Sequence, residues 1–215
     1  MVKIKSKKML AAFLLGVGLF FSPTLCIGKG AGVSTPFGEI LLQEDFDDGI
    51  AQGFGNEIGD WKVIDGKYTA RRGIFRFSTI CDLDWADYSL EADFIKAKDG
   101  GLLIRAKNDD NGIILVVRPS HNDIYWAEVC WTEGKTRGWG AARHEVRALG
   151  HKPGQDLHVK VEIIGNEFKA YVNGEIKTVF KSAEFPEPRV ALYLYHQSGQ
   201  YWDNVVVRNL TNKSR

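Results

Sequence analysis

What most constrains this chain is a recurring pattern of short segments with polar and apolar residues in alternation, each closed by a tight-turn pair. Residues 88–95 (YSLEADFI) place Leu90, Ala92 and Phe94 on one side and Glu91 and Asp93 on the other. Residues 158–164 (HVKVEII) repeat this with Val159, Val161 and Ile163 against His158, Lys160 and Glu162. A period of two belongs to a half-buried β-strand, because successive side chains point to opposite faces. Asp65-Gly66 and Asn173-Gly174 are hairpin-turn pairs, since the turns that suit twisted strands need positive φ; Gly165-Asn166 is a further turn signal. Further runs at 61–64, 67–70, 102–106, 112–118, 124–131, 168–172, 190–195 and 202–208 bring the expectation to about a dozen strands. No stretch between residues 39 and 210 has the 3.6-residue period of an amphipathic helix. The pattern predicts an all-β fold of two antiparallel sheets around one core.

The first 28 residues differ from the rest. Lys3, Lys5, Lys7 and Lys8 precede an apolar run from Met9 to Phe21, closed by Ser22-Pro23. This is the order of a secretory signal peptide, and the run is short for a membrane span. The predicted organisation is a signal peptide at 1–28, a Gly/Ser/Pro-containing lead-in at 29–40, a β-sandwich at 41–210 and a tail at 211–215. Cleavage is expected between residues 25 and 34. The product would be secreted, periplasmic or on the cell surface, with no membrane span after cleavage. Cleavage removes four of the 28 basic residues and none of the 27 acids, taking the net charge from +1 to −3. Such a balance excludes nucleic acid, which calls for a basic stripe. In an oxidising compartment Cys81 and Cys130 either pair or remain two buried thiols.

The order of motifs carries a resemblance. Residues 44–49 (EDFDDG) precede WKVIDG at 61–66, then DYSLEADF at 87–94 and GGLLIR at 100–105. HVKVE at 158–162, FKAYVNG at 168–174 and WDNVVV at 202–207 follow. Together these are similar to the concanavalin A-like lectin/glucanase superfamily in its laminin-G-like branch, and also to bacterial keto-disaccharide hydrolase domains. The resemblance covers about residues 41–210. It implies a jelly-roll sandwich that serves as a lectin, a glycosidase or a structural module, because this fold hosts all three.

Glucanases of that superfamily carry E-x-D-x-x-E on one strand. The corresponding stretch here is Glu91-Ala-Asp93-Phe-Ile-Lys96, with lysine where the second catalytic acid would stand. Without that acid there is no donor to pair with a nucleophile across the glycosidic bond. Glu91 and Asp93 therefore read as the solvated face of a half-buried strand, and no catalytic residue is assigned. The resemblance also implies a structural calcium joining the first and last strands through Asp45 and Asp203, with Asp47 as a third ligand. The plainer reading of those residues is a turn of solvated acids and a loop cap. The five histidines and the cysteines lack zinc spacing.

Six tryptophans stand in the chain. Trp61 and Trp202 fall in core-type positions. Trp126, Trp131 and Trp139 cluster with Tyr125 and Glu128 in or beside an expected loop at 132–150, near Arg137, Arg143 and His144. Sugar rings present apolar C–H faces that stack on aromatics, while polar side chains read their hydroxyls. If residue 105 pairs with 114, Arg105 and Arg118 share one face and could read hydroxyls or carboxylates, with Glu128 or Asp93 as partners; an internal salt-bridge network is the alternative. The expected ligand is a glycan, held by Arg105, Arg118, Tyr125, Trp126, Glu128, Trp131 and Trp139. Alternatives are a glycoside-cleaving enzyme of the keto-disaccharide hydrolase type and an adhesive surface domain.

Overall fold

A computed structural model describes residues 37–58, 60–71, 75–80, 86–108, 111–130, 138–185, 189–196 and 199–211. Side chains at 56–58, 75–80, 107–108, 130 and 138–142 lie outside the description. The segment expected to be a signal peptide, Trp131, Arg137 and Cys81 fall outside the described residues.

The described strands, in chain order, are β1 (Ile40–Glu44), β2 (Phe54–Ile58), β3 (Trp61–Ile64), β4 (Lys67–Ala70) and β5 (Phe75–Ile80). They continue with β6 (Tyr88–Ile95), β7 (Gly100–Asn108), β8 (Asn111–Arg118), β9 (Asp123–Cys130) and β10 (Gly138–Ala148). The last five are β11 (Leu157–Ile164), β12 (Glu167–Val172), β13 (Glu175–Lys181), β14 (Arg189–Tyr195) and β15 (Tyr201–Asn209). One sheet, called A, has the order β13-β12-β11-β6-β15-β4-β3, with β1 also paired to β15; the other, B, has the order β10-β9-β8-β7-β14-β5-β2. The pairings are antiparallel. The all-β, two-sheet expectation is met.

Alternation builds the core as the sequence predicts. Leu90, Ala92 and Phe94 from β6 and Val159, Val161 and Ile163 from β11 turn inward from sheet A. They meet Leu102 and Ile104 of β7, Ile113, Leu115 and Val117 of β8, and Leu192 and Leu194 of β14. Phe94 stacks on Trp202 with ring centroids 4.3 Å apart, and both are fully buried. At the other end Trp126 packs against Phe168 and Phe180, each 6.0 Å away. Trp61 lies 4.8 Å from Tyr68, which in turn stacks on Phe46. Trp61 and Trp202 are thus packing residues, as expected.

Gly101 is obligatory at the centre of sheet B. A Cβ there would stand 1.9 Å from the Leu115 carbonyl oxygen, so the β7–β8 backbones would have to separate.

One expected element changes. The stretch 132–150, read as a loop, contains the eleven-residue strand β10, paired with β9 from Gly138↔Cys130 to Ala148↔Asp123. Two register shifts, between 139 and 143 and between 144 and 147, interrupt its alternation. A strand carrying bulges at a sheet edge loses the period of two that identifies strands in sequence.

Candidate functional site

Each sheet has a face turned away from the other, and the two differ in chemistry. On sheet B that face carries a second apolar cluster, formed by sheet B residues alone. Leu103 from β7, Ile114 and Val116 from β8, Ala127 and Val129 from β9, and Ala191 from β14 make a buried floor, none more than 8 % exposed. Tyr125 and Tyr193 belong to this cluster, and Tyr195 packs on it.

Charged groups converge on Tyr125. The turn Pro119–His121, ending at Asn122 with φ 53°, folds β9 back on β8 and sets Arg118 opposite Asp123. Arg118 Nε donates to Asp123 Oδ1 at 2.7 Å, and Nη2 donates to Oδ2. This two-point bond holds the guanidinium with its centre 5.0 Å from the Tyr125 ring centroid. Arg143 of β10, opposite Ala127, places its guanidinium 4.8 Å from the same centroid. A cation over an aromatic face is attracted by the ring quadrupole. Asp123 hydrogen bonding raises the Arg118 pKa, while burial raises that of Tyr125.

Within electrostatic reach of this group lies Asp99, just before β7 and 2 % exposed. Gln200, fully buried, pins its backbone: Gln200 Nε2 donates to the Asp99 carbonyl at 2.8 Å, and Gln200 Oε1 accepts from the Asp99 N–H at 2.9 Å. The side-chain Oδ1 of Asp99 is buried without a hydrogen-bond partner. Burial pushes its carboxyl up to about 7, with Asp123 adding to the rise and Arg118 and Arg143 opposing it. Burial also raises the phenol of Tyr193, which is 1 % exposed beside Asp99.

The fold joins some of the expected site residues and separates others. Arg118 and Tyr125 meet on sheet B, together with Arg143. Arg105 does not join them. The hairpin pairs 103 with 114 rather than 105 with 114, and a register shift follows Ile104. With φ 48°, Arg105 leaves the regular strand path, and its guanidinium donates to the Gly165 carbonyl at 2.9 Å, in the β11–β12 turn of the other sheet. Trp126 is fully buried in the core, so it is no stacking platform; its position one residue from Tyr125 puts it on the inward face. Glu128 shares that inward parity, opposite Ile113, and not the face of Tyr125. Trp139 stands opposite Val129 in the backbone register, with its side chain outside the description. Asp99, Asp123, Tyr193 and Tyr195 were not legible as site residues, since no motif links them in sequence.

The outward face of sheet A is a set of compensated charges. His158 Nδ1 lies 2.8 Å from Asp93 Oδ1, and Asn204 Nδ2 donates to Asp93 Oδ2 at 2.8 Å. Arg208 Nε donates to Glu91 Oε1 at 3.2 Å. Glu162 accepts from Lys160 at 2.8 Å and from the Tyr171 hydroxyl at 2.9 Å. Glu91 and Asp93 are thus anchored in a polar network, as the solvated-face reading expects.

The residues expected to hold calcium are engaged within the chain. Asp45 Oδ1 accepts the Asp47 N–H at 3.2 Å, closing a local turn. Asp203 faces Lys67, whose Nζ is 3.7 Å from Oδ2, and its Oδ1 accepts the Asn204 N–H at 2.9 Å. Among the described residues, no three His, Cys, Asp or Glu side chains are grouped to hold a metal. The first and last strands are joined by the β1–β15 ladder, from Ile40↔Arg208 to Glu44↔Val205.

No protein-family description matches the sequence, and no curated protein does. Solved structures do match in fold. The carbohydrate binding module CBM66 from Bacillus subtilis is 20% identical, covering 74% of this chain and 94% of its own, with a TM-score of 0.56. A protein of unknown function with a galectin-like fold from Bacillus subtilis is 8% identical, covering 81% and 97%, at 0.59. The Emp47p carbohydrate recognition domain is 12% identical, covering 84% and 100%, at 0.56. The chain is therefore a lectin-like β-sandwich in architecture.

Proposed function

We propose that this protein is an exported carbohydrate-binding domain whose glycan site is the outward face of sheet B. The observation that carries the reading is the convergence of Arg118 and Arg143 on Tyr125, above an apolar floor and beside Asp123. The exposed Arg143 guanidinium is a forked donor of the kind a sugar's hydroxyls need as directional partners. Sandwiches that bind carbohydrate, such as CBM66 and the Emp47p domain, lend support through their shared architecture. The concanavalin A-like assignment belongs to this proposal, as does the signal peptide at 1–28. Described residues contain no helix long and apolar enough to cross a membrane.

A glycan array probed with the secreted chain tests the reading. Binding should be retained by Glu91→Gln, on sheet A, and lost or weakened about tenfold by Arg143→Ala, as expected for a charge-assisted contact. Equal loss in both variants, or binding to no glycan, would remove sheet B as the site. N-terminal sequencing of the secreted chain should begin between residues 25 and 34; an uncleaved cytoplasmic chain would contradict export.

A further inference from the structure

We infer that the sheet B face takes an acidic sugar, its anionic oxygens received by the Arg143 guanidinium at the open edge of the Tyr125 cluster. This deepens the proposed glycan-binding function and rests on it. The first ground is a count of partners. Arg118 is committed to Asp123 by two hydrogen bonds. Arg143 is exposed, sits 4.8 Å from the Tyr125 centroid and has no carboxylate partner among the described residues. On sheet A, by contrast, Arg208 is paired with Glu91 and Lys160 with Glu162. A guanidinium held over an aromatic ring, with no carboxylate partner among the described residues, is a two-point receptor for a carboxylate or sulfate, whereas a neutral sugar needs no net charge there.

The second ground is Asp99, whose Oδ1 is buried and unpartnered within electrostatic reach of Arg118 and Arg143. It faces Arg118 from β8, Asp123 and Tyr125 from β9, Arg143 from β10 and Tyr193 from β14. As a neutral carboxyl it leaves the Arg143 charge uncancelled; as a carboxylate it offsets that charge and repels an incoming anion. Its midpoint lies at about 7. A bound anion therefore favours the protonated form, and affinity for an acidic sugar falls as pH rises through that midpoint. His196, beside Tyr195, is a further titratable group near the face and remains in place in an Asp99 variant.

The test is titration of the full chain with oligogalacturonate, its methyl ester and a sulfated galactan, at pH about 5.5 and about 8.5. At the lower pH an acidic oligomer, uronate or sulfate ester, should bind about tenfold tighter than the neutral ester, and the two acidic probes identify which anion is read. That preference should shrink by about threefold or more at the higher pH, but not in Asp99→Asn. Arg143→Gln, at an exposed position, should abolish the preference for the acidic oligomers over the neutral ester, and it serves alone if Asp99→Asn does not fold. Neutral glycans bound as well as both acidic probes would overturn the inference and leave the glycan reading standing. Glycan-array silence for neutral and acidic sugars alike would remove both. A pH dependence unchanged in a folded Asp99→Asn would overturn the role given to Asp99.

Discussion

The two outward faces of this sandwich solve the same problem in opposite ways. On sheet A, charges sit in exposed or half-buried pairs, with Glu91, Asp93, Glu162 and Glu167 each near a basic or amide partner. On sheet B, an apolar floor carries two arginines, one paired acid and one buried acid with an unpartnered oxygen. A strand face open to water needs only polar residues, and exposed ion pairs there contribute little energy. Buried, incompletely satisfied charge is costly and persists where structure elsewhere sustains it. The contrast is why sheet B, not the glucanase-like Glu91 and Asp93, is the candidate site.

The strongest way to sharpen that comparison is to cut the layer beneath it. Trp126→Ala removes a fully buried indole packed on Phe168 and Phe180, and should cost about 3–5 kcal/mol of unfolding free energy. Denaturant melts measure this. A near-neutral effect would return Trp126 to the surface as a sugar-stacking position.

Next comes the pH dependence of stability. Burial raises the Asp99 carboxyl from 3.8 to about 7 in the folded chain. Its protonated form is favoured by folding, so this contribution is full below about pH 4 and is lost as pH rises to about 7. Asp99→Asn should therefore be more stable than wild type at pH about 8, by about 4 kcal/mol, and the gap should close toward pH about 4. Paired melting curves decide; parallel curves across that range would mean Asp99 is solvated.

A smaller effect separates the faces by binding. Arg143→Ala should lose about 1–1.5 kcal/mol of glycan affinity with an unchanged melting midpoint, while Arg208→Ala on sheet A should leave affinity intact. Isothermal titration of both variants measures it, and the reverse pattern would move the site to sheet A. Smaller still, breaking the Arg208–Glu91 pair should change stability by less than ~1 kcal/mol, an amount that high salt reduces further. The least effect is expected from calcium. With Lys67 on Asp203 and a local turn using Asp45, chelator and added calcium should give the same melting midpoint. A calcium-dependent rise of several degrees would show that the folded chain binds the metal.

Local order decided much of the fold before any strand met another. Alternation in 88–95 and 158–164 reappears as buried and open positions in β6 and β11, because the two-residue period is a property of the extended backbone itself. Turn pairs such as Asp65-Gly66 and Asn173-Gly174 appear with positive φ where expected. Strand β10 was hidden because its bulges break the alternation, and it takes shape only against the edge offered by β9.

The site was legible only in part. Arg118 and Tyr125 could be singled out by residue type, yet which parity of β9 faces outward depends on where sheet A packs. That decision sends Tyr125 to the site and its neighbour Trp126 to the core. Arg105 looked equivalent to Arg118 until the β7 register shift turned it toward Gly165. Asp99 had no signal at all, for its chemistry comes from burial among side chains of β8, β9, β10 and β14. By itself the sequence determined that the chain makes strands, where several of them turn, and that two sheets enclose one core. Tertiary structure alone decided which face holds the unpaired charges, because register and desolvation arise between strands distant in sequence, not within any one of them.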